Sequence, residues 1–459
     1  MTLTGGRFLA PFLEHEANFT DSQIGTTLAL QYLIMSVTSP FFGQIADRAE
    51  AKLPHYGRAF WLMGGILVGT ICFSLHGAPD LLKILYFGES FPSYLQADQP
   101  SSSAFAFHLS VQCGYALCLS LEFPVLDGMA LSYLQLVSEN TNEYGLERVF
   151  GAISWGLTSL LLGFLLDASG LGWKVTYLLI LISMCACIIA ILYYARAQAK
   201  YAQELDDIKR SAPDTNYTVE TPSPGTTETP EQVTEASPLV PSSRTSIDPD
   251  RPDHQERYTQ FQLMGLVLGP VYGLAFCGTY FVLASGLSVV ENMVFLFFEF
   301  LGGSNTICGI TVLLTVLLEL PMFQYAPNLL QKYGPGILLI AAGLSFIVRI
   351  VGYTLIPQGQ LWMVLLLEPL HGVTYAGSQT AAVEFISEKM PPGMEASGQG
   401  IVNLVRGSGS VLGLYLAGHL ESTVGPRSMY RGFAVVISLS IVSFIFIHKQ
   451  QRSMYHDQR

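Results

Sequence analysis

The sequence predicts an all-α polytopic membrane protein built as two helical bundles joined by a polar segment. Three observations lead there. Half of the 459 residues are hydrophobic and only 13% are charged, where a soluble globular chain carries about a quarter charged residues. Apolar runs long enough to cross a hydrocarbon layer of about 30 Å, which takes about 20 residues, recur from end to end. Between residues 196 and 260 the composition turns abruptly polar and divides those runs into two groups.

On that length scale, full spans are expected at 22–46, 58–77, 106–134, 150–166 and 175–195, and then at 267–301, 306–330, 336–355, 361–386, 398–420 and 430–447. The apolar segment 3–13 before them has half the necessary length. The chain therefore divides into an amino-half bundle (1–195), a linker (196–260), a carboxy-half bundle (261–447) and a tail (448–459). Within the linker, 199–210 has the composition of a short polar helix. Residues 211–252 are dense in Pro, Thr, Ser and Glu and cannot bury a core, so they are expected to be disordered.

Lys and Arg in the connections set the orientation. With the turn 47–58 on the cytoplasmic side, that side holds 16 of them and the other holds five, namely Arg7, Lys83, Lys174, Arg427 and Arg431. The linker and the tail are then cytoplasmic. Net charge is −12, but much of the acidity sits in the linker, so it argues neither for nucleic acid nor for a charged substrate. The seven cysteines lie in or beside apolar runs without CxxC pairs and read as buried small hydrophobes.

The turn between the first two full spans reads Gly43-Gln-Ile-Ala46-Asp47-Arg48, followed by Gly57-Arg58. It resembles the signature loop between helices two and three of the major facilitator superfamily, with Ala49 to Tyr56 standing where that pattern allows one residue. Ala10-Pro11-Phe12-Leu13 resembles the outer end of helix one of the same superfamily. The resemblance implies a twelve-helix plan in which the start of helix one is missing from this sequence, and the eleven full spans are helices two to twelve. It also implies that Gly43, Asp47, Arg48, Gly57 and Arg58 form a conformational gate.

The two halves echo each other. Leu121-Glu122-Phe-Pro124 in helix four matches Leu367-Glu368-Pro369 in helix ten, and Pro40-Phe-Phe-Gly43 in helix two matches Pro321-Met-Phe-Gln324 in helix eight. Parallel repeats of this kind place a binding site near the midplane between them. Tyr144-Gly-Leu-Glu-Arg148-Val-Phe-Gly151, Glu368-Pro-Leu-His371-Gly372 and Pro391-Pro392-Gly393 resemble the branch holding the lactose-permease-like and nucleoside:proton symporters. Among these, the major facilitator superfamily domain-containing 6-like proteins are the most similar.

Ionisable groups inside apolar helices are costly and usually face a bundle interior or a water-filled cavity. The candidates for proton coupling or solute binding are Glu122, Asp127, Glu319, Arg349, Glu368, His371 and Arg406. Glu368 and His371 are three residues apart on one face of helix ten, at a depth similar to that of Arg349 in helix nine. A carboxylate and an imidazole facing an arginine can exchange a proton near neutral pH. The same pair could equally neutralise two charges and fix packing. Glu122 and Asp127 are five residues apart and cannot share a face, and the echo with Glu368 favours Glu122 as the one facing the cavity.

No phosphate loop, metal cluster or hydrolytic triad stands in the sequence, so no enzyme activity, cofactor or metal is expected. The expected function is secondary transport of a small polar organic solute, such as a nucleoside or a sugar, by alternating access with proton coupling. The expected partners are the lipid bilayer, the solute and protons, with the protein a monomer. The competing expectation is a non-transporting membrane receptor or scaffold that keeps the transporter fold.

Overall fold

A computed structural model of the chain describes residues 6–79, 102–137, 144–211, 259–391 and 394–457. The helices are α1 (Leu9–Ala17), α2 (Asp21–Lys52), α3 (Gly57–Ser74), α4 (Ser102–Val137), α5 (Tyr144–Ala168) and α6 (Lys174–Ser211), followed by α7 (Val271–Phe300), α8 (Asn305–Tyr333), α9 (Pro335–Leu355), α10 (Leu370–Ser387), α11 (Glu395–Val424) and α12 (Pro426–Asp457). Short helical pieces Leu75–Gly77, Gln260–Leu268 and Leu361–Leu366 adjoin α3, α7 and α10. No strand occurs among the described residues. Of the linker, 212–258 lies outside the described residues, whereas 199–210 continues α6 without a break.

Local chemistry sets the boundaries. α2 opens with a capping box in which Thr20 Oγ1 accepts from the Gln23 N–H at 3.4 Å and the Gln23 side chain accepts from the Thr20 N–H at 3.0 Å. The Gly334 turn before α9 takes φ +79°, and Pro335 at the first helical position gives up an N–H that would be unpaired anyway. Nine of the described helical segments are long and apolar enough to cross a membrane. Among those below that threshold, α2 carries Gln31, Ser36, Thr38 and Ser39 along its length, and α10 is cut short.

That cut departs from the single span expected at 361–386. Residues 361–366 form a 3₁₀ turn, Leu367 to Pro369 make a bend, and the α-helix starts only at Leu370. Pro369 has no N–H for a continuing ladder. The bend holds Glu368.

α7 is enclosed on all sides, with Leu283, Val290, Met293, Phe297 and Phe298 each buried, as befits a helix apolar all round. α6 exposes Leu178, Leu181, Ile182, Ile189 and Tyr193, a face for lipid.

The halves meet along two seams, α2 against α11 and α5 against α8. A Cβ at Gly25 would lie 2.6 Å from Gly418 Cα, and one at Gly163 would lie 2.2 Å from the Asn305 carbonyl oxygen, so only glycine permits these approaches. Both contacts are at the ends assigned to the outer face. There Asp167, closing α5, also caps α8. Its Oδ2 accepts from the Thr306 N–H at 2.8 Å and the Thr306 hydroxyl at 2.6 Å, while Oδ1 accepts from the Asn305 N–H at 3.2 Å. The first N–H groups of a helix lack partners within it and attract negative charge.

Toward the cytoplasmic ends, Gly151 of α5 and Gly400 of α11 meet nothing within 4 Å among the described residues. The two seams are therefore tight at Gly25 and Gly163 and open at Gly151 and Gly400, which is the pattern of an arrangement closed on the outer side.

The gate motif differs from a loop. α2 continues through Asp47 and Arg48 to Lys52, so the first half of the inserted residues extends the helix by about a turn. Asp47 Oδ1 accepts from Arg58 Nη2 at 2.7 Å, and Arg58 Nη1 donates to the Gly128 carbonyl at 3.2 Å. Glu50 accepts from the Arg58 N–H at 2.9 Å and the His55 N–H at 2.7 Å, shaping the turn. Arg48 is exposed. Gly57 is required because a Cβ there would lie 2.3 Å from the Ala49 backbone.

Candidate functional site

The bend before α10 places Glu368 at the centre of a buried polar cluster. Glu368 and Arg349 are both fully buried, with Arg349 Nη2 donating to Glu368 Oε2 at 3.0 Å. Tyr353 lies one turn on from Arg349 along α9. Its hydroxyl accepts from Arg349 Nε at 2.7 Å and donates to Glu368 Oε1 at 2.6 Å. Thr315 of α8 donates to Glu368 Oε2 at 2.6 Å. Each carboxylate oxygen is thus satisfied, the condition under which a buried charge is tolerated.

His371 adds a directional element. Its Nδ1 lies 2.7 Å from Arg349 Nη1. A guanidinium can only donate, so Nδ1 is the acceptor and the proton of the neutral ring sits on Nε2. That nitrogen is 4.0 Å from Glu319 Oε2. Glu319 is partly exposed, its side chain at 17%, so it stands between His371 and solvent.

Arg406 finds two partners at the edge of this cluster. Its guanidinium is 3.8 Å from Glu291 Oε2 on α7, donates to the Tyr375 hydroxyl at 3.3 Å, and lies 5.0 Å from the centre of the Tyr375 ring. Tyr375 stacks on His371 with planes 8° apart. A continuous line of polar and aromatic groups therefore runs from Glu368 through His371 and Tyr375 to Arg406. Asn292, next to Glu291, donates to the Tyr32 hydroxyl of α2 at 3.1 Å and so reaches the other half.

Arg7, which the Lys and Arg distribution puts among the outer loops, lies elsewhere. It is 2% exposed, with Nη1 3.5 Å from Glu368 Oε2 and Nη2 donating to Thr315 Oγ1 at 3.4 Å. It therefore belongs to the buried cluster and not to a loop. The reading of segment 3–13 as part of helix one and the count of Arg7 among the outer connections pull in opposite directions, and the structure sides with the first. Tyr353, at i+4 from Arg349, was also readable from helical spacing. Thr315 carried no comparable signal.

Glu122 and Asp127 are not brought into this cluster. Glu122 is buried on α4 facing α3, where a Cβ at Gly69 would lie 3.7 Å from its carboxylate. The echo with Glu368 is geometric, since each carboxylate faces the preceding helix of its own half, but the amino half offers Gly69 where the carboxy half offers arginine. Asp127 lies in the last third of α4, next in sequence to Gly128, whose carbonyl accepts from Arg58. Of the Pro391-Pro392-Gly393 motif, Pro392 and Gly393 lie outside the described residues.

Comparison with known proteins agrees with this architecture. A crystal structure of a point mutant of the nucleoside transporter NupG superposes with a TM-score of 0.65 at 12% identity, covering 97% of this chain and 96% of that one. A POT family transporter in complex with 5-aminolevulinic acid superposes with a TM-score of 0.60 at 12% identity, covering 97% of this chain and 92% of that one. The profile of the MFS_1 like family matches residues 7–432. The chain, an integral multi-pass membrane protein with the major facilitator fold, belongs to that family.

Proposed function

We propose that the protein is a proton-coupled secondary transporter of a small polar organic solute, with Glu368 as the carboxylate that carries the proton. One observation carries this reading. Glu368 Oε2 is shared between Arg349 of its own half and Arg7 of the opposite half. A proton arriving at Glu368 removes the charge both guanidiniums face. Arg349 keeps Tyr353 and His371 as local partners, whereas Arg7 loses its ion pair across the halves and keeps there only the 3.4 Å hydrogen bond to Thr315. Protonation therefore acts on a contact that differs between the closed and open outer arrangements, the condition for an ion to shift a conformational equilibrium.

His371 Nε2–H directed at Glu319 supplies a path from solvent toward the cluster. Tyr375, Arg406 and Glu291 offer an aromatic face and both charge signs to a polar solute. The nucleoside transporter NupG and the POT family transporter share the fold and support that solute class. The test is uptake of a panel of nucleosides and small peptides into proteoliposomes with and without an imposed proton gradient. Glu368→Gln should abolish uphill accumulation and retain exchange, because glutamine imitates the protonated carboxyl. Gradient-driven accumulation by a stably folded Glu368→Gln protein removes Glu368 from the coupling role.

A further inference from the structure

A second cluster of ligand-type side chains lies on the outer face, apart from Glu368. Glu14 and His15 end α1, and Glu299 ends α7, so its members come from both halves. One donor atom from each lies within 4.8 Å of the others, and His15 Nε2 is 3.1 Å from Glu299 Oε2. The His15 ring stacks on Trp173 with centroids 5.9 Å apart and planes 19° apart, which fixes the direction of Nε2. The His15 side chain is 49% exposed and that of Glu299 24%, so dissolved ions reach both.

We infer that Glu14, His15 and Glu299 form a binding site for a divalent transition metal ion, best matched by Zn²⁺, that staples the two halves together on the outer side. One imidazole with carboxylates is a donor set that suits Zn²⁺ and disfavours Mg²⁺, which prefers an all-oxygen shell. Zinc ligands stand at about 2.0–2.2 Å, a sphere these side chains reach by rotating inward from their present spacing. The ion would hold the outer side closed and so slow alternation between states.

Purified full-length protein, freed of metal with a chelator, is titrated with ZnCl₂ by calorimetry and by Trp173 fluorescence, with MgCl₂ in parallel. Saturable binding of one Zn²⁺ is expected, with fluorescence quenching that disappears in Trp173→Phe and no response to Mg²⁺. His15→Gln and Glu299→Gln should each weaken binding at least about tenfold, the loss seen even for residues one shell out from a metal. Should either variant lose its folded gel-filtration profile, the quenching in wild-type protein and its absence in Trp173→Phe read the same site. No Zn²⁺ binding by the wild-type protein, or wild-type affinity in both folded variants, overturns the site and leaves His15–Glu299 as an ion pair. Neither measurement requires transport, so the outcome is independent of the coupling role of Glu368.

Discussion

Glu368 has two arginines and a tyrosine around it, and that count decides how substitutions should behave. Removing one member of a buried ion pair typically costs about 3–5 kcal/mol, because the other charge is left uncompensated. Arg349→Ala should lose stability of that order, read as a lowered thermal midpoint. In a two-membered pair, exchanging the charges would restore stability. Here Glu368→Arg would place a second guanidinium beside Arg7, so Arg349→Glu with Glu368→Arg should stay destabilised until Arg7 is also replaced. Full rescue by the double exchange alone would show that Arg7 contributes nothing. The Arg349–Glu368–His371 group was legible in the sequence, since three ionisable residues at matching depth in neighbouring helices are too costly to be incidental. Arg7 was not, because a charge near the start of a half-length apolar segment reads equally well as a loop residue. His15 gives a second prediction at this scale. Its hydrogen bond to Glu299 raises its pKa above the ordinary 6.5, against the opposing effect of partial burial, with further help from the charges of Glu299, Glu14 and Glu16. The stabilising contribution is then fully present below the ordinary value and is lost as pH rises through the raised one. In chelator-treated protein, the difference in thermal midpoint between wild type and His15→Gln should shrink across that rise. A difference that grows with pH would contradict it.

Asp167 shows how one element can hold another across the seam between halves. Its carboxylate accepts from two backbone N–H groups and from the Thr306 hydroxyl at the start of α8, replacing the partners that the first turn of a helix lacks. Loss of a helix cap costs about 0.5–2 kcal/mol. Because this cap comes from the opposite half, Asp167→Ala should express that cost as opening of the outer side, seen as faster labelling of single cysteines placed along α5 and α8 near Asn305. Unchanged labelling would mean that the glycine contacts and the His15–Glu299 pair keep the side shut without the cap. The helices themselves were legible because hydrocarbon thickness fixes their length and their apolar composition follows. The break before α10 left one trace in Pro369, which a span drawn by hydropathy alone overrides. The extension of α2 beyond Asp47 left none, since polar residues continuing a helix into water look the same in sequence as a polar loop.

The whole molecule has a carboxylate at each mouth of the path between halves. Asp167 engages the amino end of α8 in the arrangement seen here. Asp47 engages Arg58 within its own half, and its side chain is 63% exposed. The resemblance of its motif implies that Asp47 should face the amino end of α11 when the cytoplasmic side closes. A carboxylate near a helix amino end contributes about 0.3–1 kcal/mol, which corresponds to about a two- to fivefold change in a two-state ratio. Asp47→Asn should therefore shift the population toward the inward-open arrangement, while Asp167→Ala shifts it the other way. The two sites sit at opposite ends of the bundle and share no partner in this arrangement, so their effects should add. The double variant should return toward the wild-type ratio of cysteine accessibilities at the two mouths, with both single variants folded. Accessibility that moves in the same direction in both single variants would show that the two carboxylates do not oppose each other, and that rocking is governed at Glu368 and Arg7 instead.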